Sequence, residues 1–226
     1  MIDVIRAPAQ ARSQRTMDEV YRSLDALLKT KPFDEITISD LATHADVAVG
    51  SIYARFKDKK ALLAGLHLKV SDQAITCMGP LSAPAKWEGR TDDQMVRAIM
   101  KSVDRFYRRE AHVLGAAYLA DTGHITEMRT KVWEAAVENF TALLVARDPE
   151  TDPAQLQLAV RIIVRLTTAV TMQSVLIDWI SRWKGAVPNV VALEHLSRFA
   201  VDTIVRARTG RLNTGDADVG ALDEGG

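Results

Sequence analysis

The sequence contains a single cysteine, few aromatic residues and no excess of either charge. With Cys77 alone it can form no intrachain disulfide and no cysteine-rich metal site. Its 29 basic and 29 acidic residues balance, so the overall charge indicates neither a polyanionic nor a membrane partner, although a local patch can hide in that average. The least charged helical stretch, Leu166 to Ile177, has twelve residues, whereas a membrane-spanning helix needs about twenty. Because residues 1–15 contain no signal-peptide-like run either, we expect a soluble, cytoplasmic protein.

Strand-like alternation of apolar and polar residues is also missing, and helical periodicity takes its place. Apolar residues make up 47% of the 226 residues, which is enough for a sizeable core. Glycine and proline cluster between long segments in which apolar residues recur every three or four positions. This pattern predicts an all-α protein of about nine helices.

The segment from Thr37 to Phe56 has the outline of a helix-turn-helix. A first amphipathic helix is predicted from Thr16 to Lys29, and the capping box Thr37-Ile38-Ser39-Asp40 opens a second. A tight turn at Asp46-Val47 leads to a short third helix from Val49 to about Arg55. In this motif the second helix of the pair can lie in the major groove of DNA.

The short third helix separates apolar from polar positions. Val47, Ile52 and Phe56 can anchor it inward, whereas Ser51, Tyr53 and Arg55 are polar. Gly50 removes a side chain where the helix would closely approach DNA or a neighbouring helix.

Lys59 and Lys60 begin a fourth helix, where the helix dipole already places positive charge. A phosphate would reverse this unfavourable arrangement, because backbone N–H groups and both ammonium groups would converge on one anion. Residues 1–70 carry 11 basic and 9 acidic residues, so the basic character is local. We therefore expect a phosphate contact at these two lysines.

Residues 45–63 resemble the signature of TetR-family transcriptional regulators. That signature is roughly Ala-Gly-Val-Ser, two residues, an aliphatic residue, Tyr, two residues, Phe, two residues, Lys, two residues and Leu. The matching positions are Val47, Gly50, Ile52, Tyr53, Phe56, Lys59 and Leu62, with Phe33, Thr37 and Ala42 fitting upstream. The resemblance covers about residues 15–65, and beyond them only the length and the helix count are similar. It implies an N-terminal three-helix helix-turn-helix domain and a C-terminal helical domain for ligand binding and dimerisation.

The resemblance also implies roles at matching positions. Thr37, Tyr53 and Lys59 would contact DNA phosphates, which set the register without reading the sequence. Base reading would fall mainly to Ser51 and Arg55. The expected DNA-binding residues are Thr37, Val49, Gly50, Ser51, Tyr53, Arg55, Lys59 and Lys60.

Three positions depart from the family pattern. Asp46 replaces the usual turn glycine, and aspartate tolerates the left-handed conformation that such a turn needs. Ala48 replaces the usual serine, so the third helix lacks the side-chain N-cap that serine would provide. Ala54 occupies a position that is often aromatic and polar. The last two departures predict thin base contacts, to which Val49 can add a thymine-methyl contact.

The segment Leu156 to Trp183 is apolar nearly all round, so a helix there is buried on several sides. It is either the central helix of a monomer or part of a subunit interface. Together with a second helix through Leu193, Leu196, Ala200 and Ile204 it would form a four-helix bundle across a twofold axis. The family resemblance implies the same dimer.

Large apolar residues of the C-terminal part can line an apolar cavity with a few polar anchors. The expected pocket residues are Phe106, His112, Tyr118, Trp133, Thr168, Thr171 and Trp179. Each of them taken singly is also explained as a core residue, and together they do not identify a ligand. The five histidines form no His-x-x-x-His pair, and the chain has no phosphate-binding glycine loop or nucleophile motif, so we expect no metal, no cofactor and no catalytic residues.

These observations predict a homodimeric regulator that binds a palindromic double-stranded DNA operator. It would be a repressor released by a small apolar or amphipathic effector, although the sequence does not separate repressor from activator. Its parts would be a flexible arm (1–14), the helix-turn-helix domain (15–60), the ligand-binding and dimerisation domain (61–210) and a disordered tail (211–226). Two alternatives stay open: a protein of the same fold that is controlled by a protein partner, and an all-helical enzyme with an incidental helix-turn-helix.

Overall fold

The computed structural model describes residues 6–120, 125–176 and 189–212, with the side chains of 14–120, 125–173 and 190–212. Within these ranges the chain forms helices and turns and contains no β-strand, so the predicted all-α fold is confirmed. The nine helices described are α1 Arg6–Leu28, α2 Ile38–Ala45, α3 Val49–Tyr53, α4 Lys59–Ser82, α5 Asp92–Arg109, α6 Ala111–Ala120, α7 Ile125–Arg147, α8 Pro153–Leu176 and α9 Asn189–Arg208. Short 3-10 turns occupy Phe33–Glu35 and Pro84–Trp87. Residues 213–226, most of the predicted tail, lie outside the described residues.

Helix α1 begins well before its predicted start. It runs from Arg6, ten residues upstream of Thr16, so residues 6–14 of the predicted flexible arm are helical. This segment is rich in alanine and glutamine, which favour a helix. Pro8 lies in the first turn, where a missing N–H breaks no helical hydrogen bond.

A first core holds the helix-turn-helix together. It is built from α1, α2, α3 and the first half of α4, and its fully buried side chains include Val20, Leu24, Ile36, Leu41, Ile52, Leu62 and Leu63. Helix α6, which is distant in sequence, adds Val113 and Ala117 to the same core. The N-terminal helices are therefore packed directly on a helix of the C-terminal part.

Helix α4 runs through the boundary that the sequence predicted between residues 60 and 61. It crosses α1 closely at Gly65, where an added Cβ would lie 2.2 Å from the Tyr21 hydroxyl oxygen. Tyr21 in turn packs edge-to-face on Phe56, with ring centroids 5.5 Å apart. The glycine thus lets α4 lie against the helix-turn-helix.

Helix α4 ends within a segment that contains glycine and proline. Helix α4 continues through Pro80 to Ser82 and ends before Pro84, where Ala83 has an extended conformation (φ −66°, ψ 118°). The residue before a proline is sterically kept out of the helical region, which accounts for the end point.

A second core is formed by α5, α7, α8 and α9 with Trp87. Its most buried members include Met95, Leu143, Leu156, Ala159, Ala200 and Ile204. The Trp87 indole N–H donates to the Leu81 carbonyl at 2.8 Å and so fixes the 3-10 turn under these helices. Between the two cores lies the cavity described below.

Candidate nucleic-acid interface and effector cavity

The start of α2 is fixed by the capping box that the sequence predicted. The Asp40 N–H donates to Thr37 Oγ1 at 3.0 Å, and the Thr37 N–H donates to Asp40 Oδ2 at 2.9 Å. The Lys31 ammonium adds a further contact of 2.9 Å to the same carboxylate. Hydrogen bonds from Thr37, followed by that from Lys31, lower the pKa of Asp40 to about 2. Thr37 is exposed, and its hydroxyl oxygen accepts the capping hydrogen bond.

Asp46 takes the left-handed conformation that the turn requires, with φ 52° and ψ 49°. The Val47 N–H bonds to the Ala42 carbonyl at 3.0 Å and closes the turn. Ala48 provides no side-chain cap for α3, as its residue type predicted. Aspartate thus replaces the turn glycine of the family pattern without opening the turn.

Helix α3 buries one side and exposes the other. Ile52 and Phe56 are buried in the first core and Val47 packs against it, as predicted. Val49, Gly50 and Tyr53 are exposed, and Tyr53 keeps 57% of its surface accessible. The outward side of α3 therefore includes three of the residues to which the sequence assigned DNA contacts, whereas Ser51 is half-buried.

Gly50 lies at the exposed start of α3 with no described atom within 4 Å of a Cβ built on it. No neighbouring helix of the described chain therefore requires a glycine at this position. The position is therefore open to an approach from outside the chain.

Arg55 lies beyond the end of α3, which stops at Tyr53 instead of the predicted Arg55. Its guanidinium folds back and donates to the Ser51 carbonyl at 2.7 Å. The side chain is exposed and thus placed at the C-terminal end of the short helix, away from the N-terminal residues that usually meet base edges in this motif.

The two lysines at the start of α4 have different surroundings. The Lys59 ammonium donates to the carbonyls of Phe33, Ile36 and Asp34 at 2.8, 2.8 and 3.2 Å and lies 4.4 Å from the Phe33 ring centroid. Its three N–H groups are matched by three backbone acceptors, so Lys59 ties α4 to the Phe33–Glu35 turn. Lys60, at the next position, is exposed.

A cavity of about 220 Å³ lies between α4, α5, α6, α7 and α8. Phe106, Tyr118, Trp133 and Thr168, four of the seven expected pocket residues, line it. Two others do not: His112 bonds to Asp25 at 2.8 Å, and Thr171 is buried with its hydroxyl donated to the Thr167 carbonyl at 2.7 Å. Trp179 lies outside the described residues.

Sequence reasoning missed the contribution of α4 to this cavity. Val70, Cys77, Met78 and Leu81 of that helix form one wall, and Thr167 and Arg129 supply polar groups from α8 and α7. The signal for α8 was available, because Val160, Ile163, Val164, Thr167 and Thr168 recur at helical spacing on one face. A comparable signal existed on α4, because Val70, Ala74, Cys77, Met78 and Leu81 also recur at the spacing of one helix face.

Helix α6 belongs to both the cavity and the first core. Leu114 and Tyr118 line the cavity, whereas Val113 and Ala117 on the adjacent side are buried beneath the helix-turn-helix. His112 on the same helix bonds to Asp25 of α1. Burial alone would raise the pKa of Asp25, but hydrogen bonds from Lys29 and His112 leave it lowered. A displacement of α6 therefore acts on both regions.

An apolar surface remains open on α8 and α9, which pack against each other. Leu166 on α8 is 39% exposed and follows Leu158 and Ile162 at four-residue spacing, and Phe199 on α9 is 43% exposed. Leu196, Ala200 and Ile204, which the sequence assigned to a subunit bundle, are instead buried in the second core of the same chain. Helical periodicity located this stripe, but it could not indicate which partner covers it.

Two further observations limit the kinds of site present. No helix in the described ranges is long and apolar enough to cross a membrane. Within those ranges no three His, Cys, Asp or Glu side chains converge in a way that could hold a metal ion.

An all-helical chain that presents the second helix of a capped helix-turn-helix outward is a DNA-binding protein of the helix-turn-helix class. Residues 24–66 match the family model described as bacterial regulatory proteins, tetR family. Residues 24–66 therefore form a DNA-binding domain of the tetR family, and the chain shares the fold of solved TetR-family regulators. The matched family is one of regulatory proteins, which favours a regulator over the enzyme alternative.

Solved structures of the same fold share little sequence with this chain. A tetR-family regulator from Streptomyces coelicolor superposes with a TM-score of 0.63 at 16% identity, covering 89% of this chain and 83% of that one. AlkX of Dietzia sp., a TetR family repressor implicated in biodegradation of n-alkanes, gives 0.53 at 17% identity, with coverage of 84% and 98%. FadR of Thermus thermophilus, a TetR-family repressor in complex with lauroyl-CoA, gives 0.57 at 15% identity, with coverage of 83% and 94%. No curated protein matches this sequence.

Proposed function

We propose that this regulator is a homodimeric repressor that a small ligand in the cavity releases from a palindromic operator. The observation that carries this proposal is the double role of α6, which lines the cavity with Leu114 and Tyr118 and supports the helix-turn-helix with Val113 and Ala117. A ligand that requires a different position of α6 would bind the DNA-incompetent arrangement more tightly, and that difference in affinity drives release. Two α3 helices in successive grooves would be sensitive to small changes in their separation.

The outward surface of the helix-turn-helix supports the DNA contacts proposed. Val49, Gly50 and Ser51 begin α3 and would meet base edges, while Thr37 and Tyr53 would meet phosphates. Lys60 is the better candidate for the phosphate clamp at α4, because Lys59 is engaged with three carbonyls. The proposed division into DNA-binding and effector domains falls within α4, which is continuous across it.

The cavity supports a small-molecule effector over control by a protein partner, because an apolar space of this kind would otherwise be filled by side chains. AlkX and FadR, which share the fold, are both described as repressors, and FadR was solved with lauroyl-CoA. Control by a protein partner remains the second candidate. The test is binding of the full-length protein to the DNA upstream of its own gene, followed by fluorescence anisotropy with and without candidate ligands. Tight binding that no small molecule weakens would favour the protein-partner alternative.

Gly50→Ala should separate DNA binding from stability. The added Cβ meets open space in the free protein, so the helix should gain up to about 1 kcal/mol from the better helix former. If α3 approaches DNA closely at this position, operator affinity should fall by an order of magnitude, about 1.4 kcal/mol. Denaturant melts and anisotropy titrations measure the two effects, and unchanged operator affinity would show that Gly50 does not face DNA.

Arg55→Ala tests whether Arg55 reads bases, as the sequence suggested, or contacts the backbone. Loss of a base contact should cost about 1–3 kcal/mol of discrimination at one operator position. Loss of a phosphate contact should weaken binding to operator and random DNA alike. Titrations against a set of single-base operator variants distinguish the two, and equal losses throughout would end the assignment of Arg55 as a base-reading residue.

A further inference from the structure

The charge of the cavity lining is one-sided. Among the described lining residues Arg129 is the only side chain of fixed charge, and none is a carboxylate. Burial lowers the pKa of His67, the other basic group of the lining, and so favours its neutral form. The Arg129 guanidinium lies 5.1 Å from the Trp133 ring centroid and is exposed, which places it where the cavity meets solvent. An occupant that carries charge would therefore find a cation and no competing anion.

Two hydrogen-bonding groups of the lining have no partner in the described part of the chain. They are the Trp133 indole N–H and the hydroxyl of Thr167, a residue only 7% exposed. Two other hydroxyls of the lining have partners: Ser71 donates to the His67 carbonyl at 3.0 Å, and Ser102 donates to the Ala98 carbonyl at 2.9 Å. A buried polar group without a partner is costly, so these two groups are explained by an occupant that supplies an acceptor atom.

The remaining lining is apolar and compact. Its apolar side chains include Met95, Ile99, Val103, Phe106 and Phe140. The methionine side chain adapts readily to chains of different shape. The volume of about 220 Å³ is below the roughly 300–1,000 Å³ usual for ligand pockets, which favours a slender occupant.

We propose that the cavity binds a single-chain amphiphile with one anionic head group. Its hydrocarbon part occupies the apolar interior, its anionic group pairs with Arg129, and an oxygen atom accepts hydrogen bonds from Trp133 Nε1 and Thr167 Oγ1. This assignment rests on the proposed function in taking the cavity as the effector site. The acyl chain with an anionic group could be a free carboxylic acid or an acyl thioester whose phosphates carry the charge.

The test compares ligands that differ only in the head group. Decanoate, decanol, decyltrimethylammonium and decanoyl-CoA are titrated into the full-length protein by calorimetry. Because Arg129 is exposed, decanoate should bind only about three- to fivefold more tightly than decanol. The cationic probe should bind most weakly, and the preference for decanoate should shrink as salt is raised. Cys77 is exposed, lines the cavity and is the chain's single cysteine, so slower thiol modification on adding decanoate would place the probe there.

Three variants test the individual contacts. Arg129→Gln should remove the preference for decanoate while leaving decanol binding unchanged. Trp133→Phe keeps a ring and Thr167→Val keeps the shape, so each should weaken decanoate binding several-fold without lowering the melting temperature of the free protein. Groups with a purely structural role would behave in the opposite way, with a lower melting temperature and unchanged ligand affinity.

The outcomes separate this proposal from the proposed function. Three results would overturn the anionic-head assignment. They are equal affinities for decanoate and decanol, an Arg129→Gln variant that keeps the preference for decanoate, and no binding of any probe. Decanol that binds at least as tightly as decanoate and releases DNA would overturn it while the ligand-released repressor survives. Decanoate that binds through Arg129 without weakening operator binding would support the assignment and contradict release. Tighter, Arg129-dependent binding of decanoyl-CoA than of decanoate would identify the thioester as the source of the charge.

Discussion

Leu166→Asp should yield a soluble monomer that binds its operator only weakly. Leu166 lies on the open apolar surface of α8, where a partner subunit would bury it, and an unpaired carboxylate in such an interface is strongly disfavoured. Since the side chain is 39% exposed in the single chain, the subunit itself should fold normally. Loss of the second half-site contact should weaken operator binding about 10²- to 10⁴-fold. Light scattering and anisotropy measure the two effects.

Two further variants define the result. Leu68→Asp introduces the same charge at a leucine of α4 that is 43% exposed, and it should leave both the dimer and operator binding intact. Ala200→Asp, by contrast, places a carboxylate in the second core of the chain and should unfold it. A Leu166→Asp protein that stays dimeric would show that Leu166 lies outside the interface, and Phe199→Asp then tests the α9 part of the surface.

Lys59→Met should destabilise the protein, whereas Lys60→Ala should not. The Lys59 variant leaves the carbonyls of Phe33, Asp34 and Ile36 without their shared donor, and charge-assisted hydrogen bonds contribute about 1.5–3 kcal/mol. The retained methionine stem preserves much of the packing on the Phe33 ring. Because α4 is then less firmly tied beside α2, operator binding should fall as an indirect consequence.

The exposed Lys60 is the matched control at the next position. Its removal should change stability by no more than about 0.5 kcal/mol. If it contacts a phosphate, binding to operator and random DNA should weaken together and the salt slope should decrease by about one. Guanidinium melts and salt titrations decide between the two lysines. A stable Lys59→Met protein with a reduced salt slope would restore Lys59 as the phosphate contact.

Features that depend on a few consecutive residues were predictable from the sequence. The Thr37 capping box and the left-handed Asp46 each involve partners within four positions. Amphipathic spacing likewise identified the inward side of α3 and the all-α fold. The start of α1 was predicted wrongly, because the prediction relied on apolar residues at helical spacing. The alanine-rich residues upstream of Thr16 form a helix without such an apolar stripe.

The sequence by itself determined the helices, their caps, the turn and the identity of the DNA-binding domain, because local hydrogen bonding and spacing specify them. Only the tertiary structure decided which groups meet across long separations. In the folded chain the Lys59 ammonium binds carbonyls more than twenty residues away, His112 binds Asp25, and Ala200 is buried in the chain's own core. The Trp133 indole N–H and the Thr167 hydroxyl have no partner within the described part of the chain. The sequence pattern of an apolar stripe or of a single lysine is the same whichever neighbour it contacts. That neighbour is fixed only when the helices pack.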